Sequence, residues 1–84
     1  MLSNSVQTHH EPNPENLKAK RRVFLDEAKK ALFSGDLRSA ARLFREISIL
    51  CSDLGDHEMA MEYFTRAEKI TRLLKSTQDA ILRA

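Results

Sequence analysis

The stretches GDLRSAARLF (residues 35–44) and GDHEMAMEYF (residues 55–64) start twenty residues apart and share one pattern: Gly-Asp, an Ala five residues after the Gly, and a Phe four residues later. A Gly behind apolar helical residues adopts the left-handed conformation that ends a helix, and the Asp after it accepts a hydrogen bond from the first turn of the next one. Two such devices cut the chain into three helical segments joined by tight turns. Short connections make sequential helices antiparallel neighbours, so the repeated phrase predicts an all-α, three-helix up-down-up array.

The first segment is predicted over residues 14–33. Asn13 can cap it, Pro14 has no N–H to leave unsatisfied at the first helical position, and Glu15 meets the positive end of the helix dipole. Along it Leu17, Val23, Phe24, Ala28, Ala31 and Leu32 recur mostly at three- and four-residue steps, which predicts one buried face opposite a basic one. The second segment, residues 37–54, carries Leu37, Ala40, Ala41, Leu43, Phe44, Ile47, Ile49, Leu50, Cys51 and Leu54 around more than half its circumference, and so belongs in the middle.

The third segment is predicted over residues 57–82, with Ala60, Tyr63, Phe64, Ala67, Ile70, Leu74 and Ile81 on one face. It is roughly 40 Å long against roughly 27 Å for the second, at about 1.5 Å per residue. Its last turns therefore overhang, yet they keep Leu73, Leu74, Ile81 and Leu82, apolar residues that a frayed end has no need of.

Composition agrees with a small helical domain. Of 84 residues, 42% are hydrophobic and 31% charged, and there are only two Gly and two Pro. Residues 1–12 are polar and aperiodic and are predicted to be a disordered tail ahead of a domain over residues 13–84. That tail has no apolar run of the kind a secretory signal carries, and no stretch reaches the roughly 20 apolar residues of a membrane span. The single Cys51 excludes an internal disulfide and suits a reducing compartment. The expectation is an intracellular protein, cytoplasmic or nuclear, with no membrane partner.

Small residues at the helix crossings, Gly-Asp turns and aromatics at fixed spacing resemble the tetratricopeptide repeat family, which stacks helix pairs into a solenoid. Aligned on Gly55-Asp56, Phe44, Ile47, Ser48 and Cys51 match the first helix of such a pair, and Ala60, Phe64 and Ala67 match the second. Aligned on Gly35-Asp36, Phe24, Ala28 and Ala31 precede Ala40, Phe44 and Ile47, with departures at Glu27 and Ile47. The two registers share the second helix, so the resemblance implies one and a half repeats: a hairpin plus one extra helix, over residues 22 to 70. It also implies binding of protein partners. The Lys and Asn clamp by which family members hold acidic C-terminal peptides is absent, since the equivalent positions are Leu25 and Lys29, and Arg45 and Ile49.

Catalytic and metal chemistry find little support. His9, His10 and Glu11 are adjacent in the tail and supply too few ligands for a metal site. His57 and Cys51 lie across a turn from each other without an oxyanion stabiliser, so no enzyme and no cofactor is expected. Met59 and Met61 are two residues apart and cannot face the same way, so one must lie outside the core.

The expected function is a non-catalytic adaptor or assembly subunit that binds a partner helix or segment, or a second copy of itself. Its candidate contact residues are Leu43, Ile49, Met59, Met61, Leu73, Leu74, Ile81 and Leu82. The alternative is a nucleic-acid accessory protein using the run of Lys18, Lys20, Arg21 and Arg22, although no aromatic residues are interleaved there to stack on bases.

Overall fold

A computed structural model describes residues 13–83, which form three α-helices and no strand: α1 (Pro14–Ser34), α2 (Leu37–Asp53) and α3 (His57–Arg83). The boundaries fall within a residue of those predicted, with Leu54 capping α2 rather than ending it. The tail predicted over residues 1–12 lies outside the described residues.

The starts and stops follow from local chemistry. Asn13 accepts a hydrogen bond of 2.9 Å from the Glu15 N–H, and Pro14 occupies the first helical position. Gly35 ends α1 at φ 80°, with its N–H donating to the Leu32 carbonyl (3.1 Å) and the Asp36 N–H to the Ala31 carbonyl (2.8 Å). Gly55 repeats the device after α2 at φ 81°, donating to Ser52 (3.0 Å) while Asp56 donates to Cys51 (2.8 Å). Both are the paired bonds by which a left-handed Gly closes a helix end.

The two Asp residues then part ways. The Asp36 side chain accepts from the Ser39 N–H at 3.2 Å and caps α2. The Asp56 carboxylate makes no such bond to the start of α3; it lies 3.8 Å from Nη1 of Arg21, on α1. The expectation that both aspartates cap is thus corrected at Asp56, because a cation from another helix competes for it.

Helix α2 packs against α1 on one side and α3 on the other, while α1 and α3 do not pack on each other. The arrangement is an array with α2 at its centre. Antiparallel packing of α2 and α3 shows in the side chains that meet: Ala41 shares a groove with Leu74, and Arg45 pairs with Glu68. Seven residues of α2 are buried, against two of α1 and one of α3, which is why α2 needs the widest apolar arc.

The core joins Ala28 and Ala31 of α1, Ala40, Phe44, Ile47 and Cys51 of α2, and Ala67 of α3. Ala28, Ala40 and Ala67 are wholly buried and, lacking bulk, let the helix axes approach at the density of a protein interior. The Phe44 ring stacks on Tyr63 with centroids 5.9 Å apart, and the Arg66 guanidinium lies 5.1 Å from the centre of the Tyr63 ring. The buried Ser48 hydroxyl is satisfied by the Arg45 carbonyl at 2.6 Å.

Three expected faces are narrower than their sequence pattern. Val23 and Leu32 on α1 are exposed, because α1 has a single neighbour and only Leu17, Arg21, Phe24, Leu25, Ala28 and Ala31 turn towards it. Ile49 is exposed on α2, and Phe64 is exposed on α3, where Tyr63 supplies the packed aromatic. Ile81 continues the core-facing stripe of α3, but nothing covers it: every residue from Lys75 to Arg83 is exposed. The 17 residues of α2 end short of the 27 of α3.

Candidate functional site

The residues singled out in the sequence separate into three groups. Leu43 and Met59 are half-buried and packed against the core. Ile49, Met61, Leu73, Ile81 and Leu82 are exposed apolar residues, and Leu74 is half-buried at the edge of α2. They do not form one patch. Ile49 and Leu74 lie in the groove between α2 and α3, Met61 borders a depression on α3 with Phe64 and Arg72, and Ile81 and Leu82 lie on the overhang.

The basic run also divides. Lys18, Lys20 and Arg22 are exposed, whereas Arg21 is half-buried and turned into the domain. Position 21 falls in the stripe of α1 that meets α2, seven residues before Ala28. The long aliphatic stem of an Arg can lie along such a contact while its head reaches polar partners. Here Nη1 donates to Cys51 Sγ at 3.6 Å and lies 3.8 Å from the Asp56 carboxylate. Arg21 thereby ties α1 to the turn between α2 and α3.

Sequence reasoning named Ile49 and Leu74 as contact residues but not the groove between α2 and α3 that brings them together. It is open, with a volume of about 340 Å³, and its apolar surface comes from Ala41 and Ile49 on one helix and Leu74 on the other. Arg38, Arg42 and Arg45 rim it on α2, together with Glu46. Arg45 is engaged with Glu68 of α3 at 3.5 Å. The other ion pairs of the described residues are Arg21–Asp56 and Arg66–Glu62, so Arg38 and Arg42 take part in none.

Their field is nevertheless felt nearby. Hydrogen bonds from the Ser39 hydroxyl and backbone N–H hold the Asp36 carboxyl below its ordinary value, and the charges of Arg42 and Arg38 add to this. The signal that could have marked the groove was the spacing of Arg38, Arg42 and Arg45, at steps of four and three residues along one face of α2, with Ile49 four residues further on.

Phe33 was also passed over. It is 99% exposed at the end of α1, on the side away from Ala28 and Ala31. Nothing in the fold explains its aromatic character.

Among the described residues no group of His, Cys, Asp and Glu could hold a metal ion, and no helix is long and apolar enough to cross a membrane. Cys51 is a free, fully buried thiol, and His57 is exposed. The candidates His9, His10 and Glu11 lie outside the described residues. The described part of the chain is thus a small all-α domain of three helices, each of which carries exposed apolar and cationic groups. Comparison with protein-family models, curated proteins and solved structures returns no match to this chain.

Proposed function

We propose that this protein is a non-catalytic adaptor or assembly subunit, a tetratricopeptide-like hairpin with one extra helix, which docks a partner helix or segment, or a second copy of itself, on the apolar surface of α2 and α3. The observation that carries this reading is the end of α3. Leu73, Ile81 and Leu82 stand 59%, 68% and 78% exposed on a helix that has run past its only neighbour. An isolated helix that short is marginal in water, and tertiary packing is what ordinarily stabilises it.

Magnitudes limit what these residues can do alone. Full burial of each yields roughly 1.5–3 kcal/mol, whereas association costs about 4–15 kcal/mol in lost freedom. Three side chains support only a weak contact, so a useful docking surface must extend into the groove that holds Ile49 and Leu74. The basic run on α1 is a poorer candidate for nucleic acid than its sequence suggests, because one of its four cations is occupied within the fold.

Light scattering across the micromolar range, paired with partner capture from cell extract, tests the reading. The variant Ile81→Asp/Leu82→Asp changes two exposed residues and leaves the core intact. Loss of self-association or of the captured partner in that variant, with its melting unchanged, is the expected result. A parent chain that stays monomeric at high micromolar concentration, and whose capture is indifferent to both changes, overturns it.

A further inference from the structure

From the α2–α3 groove we infer a more specific ligand class, resting on the adaptor reading above: an amphipathic helical segment whose apolar edge is flanked by carboxylates one turn apart. The groove floor is apolar, with Ala41, Ile49 and Leu74, and a channel between two antiparallel helices accepts the ridge of a third. Its rim selects charge. Arg38 and Arg42 are exposed and, among the described residues, joined in no ion pair.

Two acids temper this field without cancelling it. Glu68 is engaged by Arg45, and Glu46 lies on the rim. The nearby Asp36 carboxylate is held as the cap of α2. Arg38 and Arg42 thus offer two planar guanidinium forks one turn apart, each suited to a carboxylate in two-point contact. A ligand helix that sets apolar side chains against Ile49 and Leu74 meets them with acidic side chains at the same one-turn spacing.

An acidic peptide is favoured over nucleic acid because Ile49, at 51% exposure, sits among the cations. A phosphate backbone has nothing to place against it. No aromatic side chain lines the groove for a base to stack on.

The test uses fluorescence anisotropy of the full chain with designed peptides of about 15–18 residues, long enough to sample a helix. One has a Leu edge flanked by Glu, a second replaces Glu by Gln, a third by Lys, and a labelled DNA duplex serves as the polyanion. Saturable binding of the Leu/Glu peptide is expected, weakened about tenfold or more by Arg38→Glu/Arg42→Glu and by Ile49→Asp. Lys18→Gln/Arg22→Gln should leave it within about twofold, since exposed charges elsewhere contribute little. Circular dichroism melts confirm that each variant folds, and Arg38→Gln/Arg42→Gln gives a milder second version.

Equal binding of the Leu/Gln peptide overturns the requirement for acid and leaves the adaptor reading standing. Tighter binding of the duplex, with a loss of several decades between low and moderate salt, overturns the proposal in favour of a polyanion. Absence of saturable binding by any of the peptides at several hundred micromolar overturns the groove as a docking site. The overhang experiment above is scored separately, through Ile81 and Leu82.

Discussion

Nη1 of Arg21, in the first half of α1, lies 3.8 Å from the carboxylate of Asp56, at the turn into α3. Helices α1 and α3 do not otherwise pack together, so this pair, with the 3.6 Å bond from the same nitrogen to Cys51 Sγ, ties α1 to the turn between α2 and α3. The Arg21 side chain is 21% exposed and that of Asp56 42%, which places the pair among partly solvated bridges rather than buried ones.

A partly solvated bridge contributes up to about 1 kcal/mol, whereas a packed side-chain stem contributes through the area it covers. Arg21→Met keeps the stem and loses the charge, and its cost in urea unfolding should stay below about 1 kcal/mol. Arg21→Ala removes the stem as well and should cost about 1–2 kcal/mol more, from the lost burial of its methylenes. Equal costs for the two variants would show that charge, and not packing, holds Arg21 in place.

Asp36 and Asp56 occupy the same place in the repeated phrase, yet only Asp36 caps a helix. Its pKa in the folded chain lies below the ordinary value of 3.8, through hydrogen bonds from Ser39 and then the charges of Arg42 and Arg38. The folded state therefore releases this proton more readily than the unfolded state does. The resulting stability is fully present above the unfolded pKa and is lost as pH falls through the folded one. Asp36→Asn keeps an oxygen acceptor for the Ser39 N–H and abolishes the titration. Thermal melts of parent and variant should differ most above about pH 5 and converge in acid. A gap that stays constant down to low pH would contradict this account.

Gly35 and Gly55 stand at φ 80° and 81°, and a Cβ added to either would meet nothing within 4 Å. The cost of a side chain there is backbone strain alone, about 1–2 kcal/mol per residue for the left-handed region. Gly35→Ala and Gly55→Ala should thus lower stability by similar amounts, and a D-alanine introduced by chemical synthesis should restore it. Unequal losses, measured by denaturant unfolding, would mean that one of the two turns shifts to relieve the strain.

The three helices were legible because each boundary has its own chemical marker: Asn13-Pro14 at the start and Gly-Asp twice after it. The central place of α2 was legible from its apolar arc. Which residues fill the flanking faces was not, since periodicity counts apolar side chains and does not say how many neighbours a helix has. Val23 and Phe64 satisfy the spacing of a buried stripe, but α1 and α3 each touch one helix, and a single neighbour covers a narrower arc. Arg21 escaped for the converse reason. A charge in a core-facing stripe reads as a break in the pattern until its partner, thirty-five residues away in sequence at Asp56, is brought beside it. The groove that Arg38 and Arg42 rim exists only once Leu74 of α3 is brought beside α2.

The overhang of α3 gives the sharpest separation of stability from binding. From Lys75 to Arg83 every residue is exposed, and α2, antiparallel to α3, ends beside Leu74. Hydrogen bonds within such a segment form and break without disturbing the core, so its amides should exchange with solvent well before those around Phe44 and Ala67. Ending the chain after Ser76 removes Ile81 and Leu82 but no residue that is buried in the array. Such a truncation should leave the melting temperature within a few degrees of the parent, since about 1 kcal/mol corresponds to roughly 4–8 °C in a domain of this size. It should also abolish the self-association or partner capture assigned to the overhang. A large fall in melting temperature would show that the last turns are packed against something in the same chain, and retained capture would move the docking surface away from them and onto the groove at Ile49.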